Sequence, residues 1–143
     1  MTHRVLLADD HELFRQALRQ TLEAVSEMEV VAEAVDGLAA IESARQVLPD
    51  VVCMDVNMPG LDGVDATVRL LDVQPDVKVI GLSAHFDLHV VARMISAGAH
   101  GYVIKHSAGV ELVLAIRTVS RHETYLSPGL GVTSAAELAR YLN

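Results

Sequence analysis

The sequence predicts an open, three-layer α/β sandwich in which five helices cover the two faces of a five-stranded parallel sheet. Five short apolar runs alternate along the chain with longer amphipathic segments, and this alternation is typical of strand–helix–strand units. Most positions of these runs are apolar, instead of every second one, which indicates strands buried on both faces. Such sheets bind ligands beyond the carboxyl ends of their strands, where the strand order reverses.

The first three strands and the two helices between them follow from local patterns. Leucines and alanines recur at helical spacing after the first apolar run. Asp36 is placed to cap the second helix, and Pro49 with Asp50 breaks that helix before the third strand. In chain order these elements are strand 4–8, helix 12–25, strand 30–34, helix 36–47 and strand 51–55.

The second half of the chain continues the alternation. Pro59-Gly60 and Asp62-Gly63 mark a loop, after which a helix of about ten residues runs to Asp72. Asp87 opens the fourth helix, and Ser107 is placed to cap the last long one. The remaining elements are strand 77–83, helix 87–98, strand 101–105 and a helix after 107.

The pattern changes past the last long helix. Residues 127–131 are rich in breakers and indicate a linker, after which Thr133 or Ser134 is placed to cap a short helix over 135–142. A helix of this length is marginal alone, so we expect it to dock, pair or fray. The predicted organisation is one domain over residues 1–125, then a linker and short helix over residues 126–143.

The composition argues against several classes of protein. The net charge of −8 opposes nucleic-acid binding by this segment, because phosphate backbones need clustered lysine and arginine. The single cysteine, Cys53, leaves no internal disulfide and fits a reducing compartment. Early carboxylates interrupt any signal-peptide pattern, and no apolar stretch approaches the roughly 20 residues that span a bilayer. We expect a soluble, cytoplasmic protein with no membrane partner.

Polar side chains stand at the carboxyl ends of four predicted strands. Asp9 and Asp10 follow the first strand, Asp55 ends the third, Ser83 the fourth and Lys105 the fifth. Parallel strands place these ends side by side, so the three carboxylates crowd together and repel one another. A bound cation relieves this repulsion, and oxygen ligands at an accessible site favour Mg²⁺. Lys105 adds a charge suited to a phosphoryl oxygen, and Ser83 adds a hydroxyl donor.

Each of these residues alone also has a purely structural explanation. A single aspartate after a strand is most often a helix cap or a turn former, so Asp9 and Asp10 fit a cap pair. Lys105 alone fits a solvated lysine, and Ser83 alone fits a loop hydroxyl. Their coincidence at the same end of one sheet is what favours a site for Mg²⁺ and phosphate.

Four motifs, in this order and spacing, resemble the receiver domain of two-component response regulators. They are LADDH at 7–11, MDVNMPG at 54–60, LSA at 82–84 and GAHGYVIK at 98–105. The resemblance covers about residues 3–128 and implies the CheY-like, flavodoxin-type fold. The DDH and GYVIK sequences, with YLSP at 125–128, resemble most the NarL/FixJ subgroup, whose members usually carry a LuxR-type helix-turn-helix.

The resemblance implies a role for each residue of the acidic cluster. Asp55 would accept the phosphoryl group from the phosphohistidine of a sensor histidine kinase. Asp10, Asp55 and the backbone carbonyl of Asn57 would bind Mg²⁺ directly, while Asp9 would act through a bound water. Lys105 would pair with the phosphoryl group.

The same resemblance implies a switch and a control of the phosphoryl lifetime. Ser83 matches the hydroxyl that moves toward the phosphoryl group, and Tyr102 matches the aromatic side chain that then swings inward. Asn57 and His85 flank the path of the water that would hydrolyse the phosphoryl–aspartate bond. We predict that the imidazole of His85 orients this water; its bulk excluding the water, or His85 simply facing solvent, are the alternatives.

The chain departs from the family pattern in two places. His106 follows the lysine where many receivers have proline, and no helix-turn-helix follows Pro128. We favour the regulatory half of a longer transcription factor, which would bind DNA only through an output domain outside this segment; a stand-alone receiver is the alternative. A homodimer through the first and last helices competes with ordinary solvent exposure of that surface.

Two functions of other classes compete with this interpretation. An aspartyl-phosphate hydrolase of the haloacid dehalogenase type needs a second aspartate two residues after its nucleophile, and Asn57 stands there. We therefore expect no enzyme, beyond slow autophosphatase activity. An unphosphorylated interaction module would be expected to lack part of the acidic cluster, and this sequence retains all of it.

Overall fold

The computed structural model describes residues 2–84 and 87–142 and contains one parallel sheet. The strands lie in the order β2-β1-β3-β4-β5-β6, and every neighbouring pair is parallel. The order reverses at β1, which lies between β2 and β3. The strands are β1 (His3–Ala8), β2 (Met28–Ala34), β3 (Val51–Asp55), β4 (Lys78–Ser83), β5 (Gly101–Ile104) and β6 (Tyr125–Leu126).

Five α-helices alternate with these strands, and three of them begin at a capping aspartate. The side chains of Asp36, Asp62 and Asp87 accept hydrogen bonds from backbone N–H groups in the first turns of α2, α3 and α4, which satisfies donors that a helix cannot pair internally. The helices are α1 (Glu12–Glu23), α2 (Gly37–Val47), α3 (Gly63–Val73), α4 (Leu88–Ser96) and α5 (Ala108–Ser120). Short 3₁₀ segments span Lys105–Ser107, Pro128–Leu130 and Ala135–Tyr141.

The sheet separates two hydrophobic cores. Alternate residues of a strand point to opposite faces, so Leu6 and Ala8 of β1 join one core while Val5 and Leu7 join the other. The first core lies under α2, α3 and α4, and the second lies under α1 and α5. The predicted three-layer α/β class is therefore confirmed.

The strand count differs from the predicted five. β6 is a sixth strand of only two residues, in which Tyr125 and Leu126 pair with Gly101 and Tyr102 of β5. Pro128 follows it closely and has no N–H with which to continue a ladder, so a run this short carries no strand pattern in the sequence. Lys105, predicted as the end of β5, instead begins a 3₁₀ turn.

The C-terminal segment that follows β6 packs against the first core, although its breakers indicated a linker. Leu130, Val132 and Leu138 are buried in the same cluster as Tyr102. The predicted short helix is present as a 3₁₀ segment, with Ser134 as its N-cap. Glu137 accepts hydrogen bonds from the backbone and hydroxyl of Thr133 (3.1 and 2.6 Å), so both predicted caps contribute to its start.

An imidazole on α4 holds the far end of this segment. The Nδ1 atom of His89 lies 2.8 Å from the carbonyl oxygen of Tyr141, and the two rings meet edge to face with centroids 5.5 Å apart. The short helix was expected to dock, pair or fray, and it docks on α4.

Replacing Leu138 by alanine tests this docking. The side chain is only 2% exposed, so Leu138→Ala should lower the free energy of unfolding by about 2–3 kcal/mol through lost burial and a residual cavity. Leu142→Ala is the matched control, because Leu142 lies in the same segment and is 48% exposed; its effect should stay within about 0.5 kcal/mol. Equal urea midpoints for the two variants would show that the segment is not packed.

Candidate functional site

The acidic cluster predicted at the carboxyl ends of the strands is present in the structure. Asp55 is the last residue of β3, and Asp9 directly follows β1, where its backbone N–H donates to the carbonyl of Ala34 in β2 (2.9 Å). Asp9 and Asp55 are each only 1% exposed, while Asp10 lies at the surface. The carboxylates of Asp9 and Asp55 are therefore buried, and that of Asp10 is accessible to solvent.

The ammonium group of Lys105 lies among these carboxylates. Its Nζ atom is 2.7 Å from Asp9 Oδ2 and 3.1 Å from Asp55 Oδ2. It also lies 3.3 Å from His11 Nδ1 and 4.8 Å from the centre of the Phe14 ring. Two carboxylate oxygens and an imidazole nitrogen thus surround the ammonium group. Lys105 partly compensates the buried negative charge.

The carboxylate of Asp55 has a different environment at each of its oxygens. Oδ1 accepts a hydrogen bond from the backbone N–H of Asn57 (3.0 Å), while Oδ2 faces Lys105. Burial raises the pKa of Asp55, and the nearby charge of Asp9 raises it further; the Asn57 N–H and Lys105 oppose this rise without cancelling it. The folded protein therefore disfavours the ionised form of Asp55.

The geometry fits a hard divalent cation. One ligand atom from each of Asp9, Asp10, His11 and Asp55 can be chosen so that all four lie within 4.8 Å of one another. Carboxylate oxygens are the ligands that Mg²⁺ prefers, and the exposed side of the cluster leaves room for the waters that it retains. Asn57, the predicted carbonyl ligand, follows Asp55 by two residues and is held to it by the N–H bond described above.

His11 was not predicted as a site residue, yet it lies inside the cluster. Its backbone N–H donates to Asp9 Oδ1 (2.8 Å). Its Nδ1 atom lies 3.2 Å from Asp9 Oδ1 and 3.5 Å from Asp10 Oδ1. The signal in the sequence was its place directly after the acidic pair. In the structure it is the N-cap residue of α1 and makes no side-chain capping hydrogen bond.

The two predicted switch residues are both buried beside the acidic cluster. Ser83 ends β4 and pairs in the sheet with Ile104, one residue before Lys105. The Tyr102 ring packs against Gly81, where an added Cβ would lie 3.1 Å from the ring and 2.9 Å from the Met94 side chain. A side chain at 81 would therefore require the flexible end of Met94 to move and the Tyr102 ring to shift by a few tenths of an ångström.

Tyr102 already occupies an inward position in this structure. Its side chain is fully buried, and its hydroxyl has no hydrogen-bond partner of regular geometry among the described residues. Burial raises the pKa of Tyr102, and its contact with the Ser83 side chain lowers it in part. The charge of Asp55 also raises this pKa, so the acidic cluster and the tyrosine interact electrostatically.

The remaining predicted residue, His85, lies outside the described residues, and its role stays a prediction.

A groove of about 630 Å³ lies away from the acidic cluster, at the amino ends of the strands, and is lined in part by His3, Asp50 and Lys78. The crowded carboxylates and Lys105 lie at the opposite end of the sheet. Among the described residues, no helix is both long and apolar enough to cross a bilayer.

The fold and this acidic cluster agree with what the family comparison finds. A family model described as the response regulator receiver domain matches residues 5–117. The chain therefore belongs to the response regulator receiver domain family, a family of signalling domains, and the resemblance seen in the motifs is confirmed.

Similar proteins place the chain beside LuxR-type transcriptional regulators. The transcriptional regulatory protein DegU of Brevibacillus brevis is 37% identical over 140 residues, which are 98% of this chain and 59% of DegU. Response regulator GacA of Pseudomonas viridiflava is 40% identical over 125 residues, or 87% of this chain and 58% of GacA. This chain thus spans under two thirds of these regulators.

One solved structure matches this chain over nearly the whole length of both proteins. The crystal structure of a LuxR-family two-component response regulator from Aurantimonas sp. SI85-9A1 is 33% identical, with a TM-score of 0.88. The match covers 98% of this chain and 97% of that one, so it includes the region of the C-terminal segment.

The raised pKa of Asp55 predicts that Asp55→Asn stabilises the protein in the absence of divalent metal. Burial and the charge of Asp9 disfavour the ionised form of Asp55 in the folded wild type, and an amide removes this penalty. As the pH falls through the raised folded-state pKa, the wild type takes up a proton and the difference between the two proteins should shrink. Urea midpoints in EDTA across this range measure the effect.

Asp72→Asn is the control, because Asp72 lies exposed on α3. Its urea midpoint should match that of the wild type at every pH. Added Mg²⁺ should then stabilise the wild type more than Asp55→Asn, by mass action on the folded state. A lower midpoint for Asp55→Asn than for the wild type in EDTA would contradict a crowded acidic cluster.

Proposed function

We propose that Asp55 accepts a phosphoryl group from the phosphohistidine of a sensor histidine kinase, in a reaction that requires Mg²⁺. The observation that supports this most directly is the buried Asp55 carboxylate, which has Lys105 at one oxygen and the Asn57 N–H at the other. A buried nucleophile flanked by fixed donors is suited to phosphoryl transfer, where catalysis depends mainly on positioning and charge stabilisation.

In the proposed reaction a carboxylate oxygen of Asp55 forms a bond to phosphorus while the phosphorus–nitrogen bond of the donor breaks. The donor imidazole keeps the electron pair of that bond and takes a proton from the surrounding water. Asp10, Asp55 and the carbonyl of Asn57 would hold Mg²⁺, with Asp9 acting through water. The metal would neutralise charge on the phosphoryl oxygens.

Lys105 has a place on both sides of this reaction. Before transfer its ammonium contacts Asp9 and Asp55. After transfer the charge on Asp55 is carried by phosphoryl oxygens farther from the backbone, and the flexible lysine side chain can follow it. The same cation thus stabilises the buried carboxylates first and the product afterwards.

The response to phosphorylation is proposed to pass through Ser83 and Tyr102. A phosphoryl group on Asp55 offers acceptor oxygens next to the buried Ser83 hydroxyl, and a hydroxyl drawn toward them changes its contact with Tyr102. Because Tyr102 lies in the core that the C-terminal segment covers, a change at this ring reaches Leu130 and Leu138. A ligand shifts such an equilibrium only by its differential contacts with the two states.

The output is proposed to be transcriptional, as the names of DegU and LuxR-family relatives suggest. The net charge of −8 means that DNA binding would need an output domain outside residues 1–143. In this proposal residues 1–125 form the receiver and residues 126–143 connect to that domain. A homodimer and a cytoplasmic location belong to the same proposal; a stand-alone receiver is the alternative.

A hydrolase of the haloacid dehalogenase type is less well supported. Asn57 offers a neutral amide where those enzymes need a carboxylate to activate water, and its backbone N–H is already bonded to Asp55. We therefore propose slow loss of the phosphoryl group, with Asn57 and His85 setting its rate.

Phosphorylation is tested with a small donor such as acetyl phosphate. Intact-mass analysis should show one added phosphoryl group on the wild type when Mg²⁺ is present and none in EDTA, because the metal and Lys105 together neutralise the incoming charge. Asp55→Ala should remain unlabelled. Asp72→Ala, which removes an exposed carboxylate from α3, should be labelled like the wild type. Labelling of Asp55→Ala equal to that of the wild type would show that Asp55 is not the phosphoacceptor.

The switch is tested with Ser83→Ala and beryllofluoride, a mimic of the phosphoryl group. This variant should still bind the mimic, since Asp55 and Lys105 remain. The chemical shifts of the Tyr102 ring should change in the wild type and stay near their resting values in the variant, because the hydroxyl that links the two sites is gone. A full Tyr102 response in Ser83→Ala would show that the Ser83 hydroxyl does not couple the phosphoryl site to Tyr102.

A further inference from the structure

We infer that His11 is a nitrogen ligand of the metal in this pocket, and that it shifts the metal preference of the pocket from Mg²⁺ toward later transition metals. This inference rests on the proposed function, because it concerns the metal that the acidic cluster would hold. It adds a ligand that the oxygen-only set of Asp10, Asp55 and the Asn57 carbonyl does not contain.

The spacing of the side-chain atoms supports a shared metal. Adjacent ligands of an octahedral ion with bonds of about 2.1–2.2 Å lie about 3.0–3.1 Å apart. The Nδ1 atom of His11 lies 3.2 Å from Asp9 Oδ1 and 3.5 Å from Asp10 Oδ1. The separation from Asp10, which would bind the metal directly, exceeds such an edge by about 0.5 Å, and the side chains of His11 and Asp10 are 67% and 34% exposed, so a small movement of either suffices to bind one ion.

The position of the imidazole is also suitable. Nδ1 is the ring nitrogen that faces the cluster, because this atom lies near Asp9, Asp10 and Lys105. In general, a neutral imidazole is the form that binds metals.

The pocket around Lys105 already resembles a coordination shell. Its ammonium contacts Asp9 Oδ2, Asp55 Oδ2 and His11 Nδ1 at 2.7, 3.1 and 3.3 Å. A divalent ion that displaces the ammonium would meet Asp55 and the same nitrogen directly, with Asp9 acting through a water. His11 is also accessible to an entering ion, since its side chain is 67% exposed.

The chemical consequence is a change in selectivity. Oxygen ligands suit Mg²⁺ and Mn²⁺, whereas an imidazole favours Ni²⁺ and its neighbours in the Irving–Williams order. A pocket that contains His11 should therefore bind Ni²⁺ more tightly, relative to Mg²⁺, than the same pocket without the imidazole. If His11 serves only to orient Lys105, its removal should change both affinities alike.

The direct test uses Mn²⁺ as a paramagnetic probe of the wild-type protein. Pulsed electron paramagnetic resonance should detect a ¹⁴N coupling from an imidazole bound to Mn²⁺. The coupling should disappear in His11→Gln and persist in His106→Gln, the matched control, which removes an exposed imidazole beside Lys105 in the chain. Asp10→Asn shows whether Mn²⁺ occupies the acidic cluster, because it should weaken Mn²⁺ binding.

Calorimetric titrations with Ni²⁺ and Mg²⁺ supply the second readout. Relative to the wild type, His11→Gln should lose at least about tenfold in Ni²⁺ affinity, since even an outer partner of a metal ligand contributes about 10–100-fold. Its Mg²⁺ affinity should change far less, and His106→Gln should change neither.

The outcomes separate this inference from the function on which it rests. Mn²⁺ binding that Asp10→Asn weakens, but without a ¹⁴N coupling in the wild type, would overturn the role of His11 and leave the phosphoacceptor site intact. A ¹⁴N coupling that persists in His11→Gln would also overturn it, because another histidine would be the ligand. Absence of saturable Mn²⁺ binding to the wild type would overturn both.

Discussion

The ion pairs of Lys105 with two buried aspartates are the interaction on which the rest of the site depends. Asp9 and Asp55 come from neighbouring strands, so the parallel sheet itself forces two carboxylates together in a poorly solvated place. Two carboxylates that both contact one ammonium group repel each other, and this repulsion is costly where the local dielectric is low. The compensating cation comes from the 3₁₀ turn directly after β5, and β4 separates β5 from β3. Two strand spacings amount to about 10 Å, and a long, flexible lysine is the side chain suited to cross them.

The strand that precedes this lysine also connects the site to the C-terminal segment. Tyr102 of β5 is buried in one core with Leu130 and Leu138, while the 3₁₀ turn after β5 begins with Lys105. A displacement at the acidic cluster and a displacement of the docked segment therefore act on the same few residues of β5. Gly81 sets how closely the Tyr102 ring approaches β4. The packing is tight enough that a shift of this ring must be matched by its neighbours.

Most of the fold could be predicted because its signals are local. Apolar runs, capping aspartates such as Asp36 and breakers such as Pro49 each report on their own segment, and the predicted helices and strands are all present. The convergence of Asp9, Asp55 and Lys105 was also predictable, since it follows from parallel topology alone. β6 could not be predicted, because a two-residue strand has no periodicity of its own.

Features that depend on contacts distant in sequence could be predicted only in part. The short C-terminal helix was expected to dock, pair or fray, but its own segment does not indicate that it docks on α4 or that Leu138 is buried there. His11 stands in the LADDH motif, but its contact with Lys105 could not be predicted from that motif, because Lys105 lies 94 residues away along the chain. Such contacts are created by the tertiary fold and leave no periodic trace. The resemblance to receivers supplied roles for Ser83 and Tyr102 that patterning alone does not assign.

The shortness of β6 has a consequence for how this protein behaves at high concentration. An outer strand with unpaired N–H and C=O groups is a template on which another chain can add. On one side of the sheet, β2 carries Glu33, which is paired with Arg15 (2.8 Å), and an exposed Glu29. On the other side, β6 ends after two residues and Pro128 blocks further pairing. Loss of residues 125–142 would uncover the apolar β5, so the first effect expected of such a truncation is self-association into aggregates.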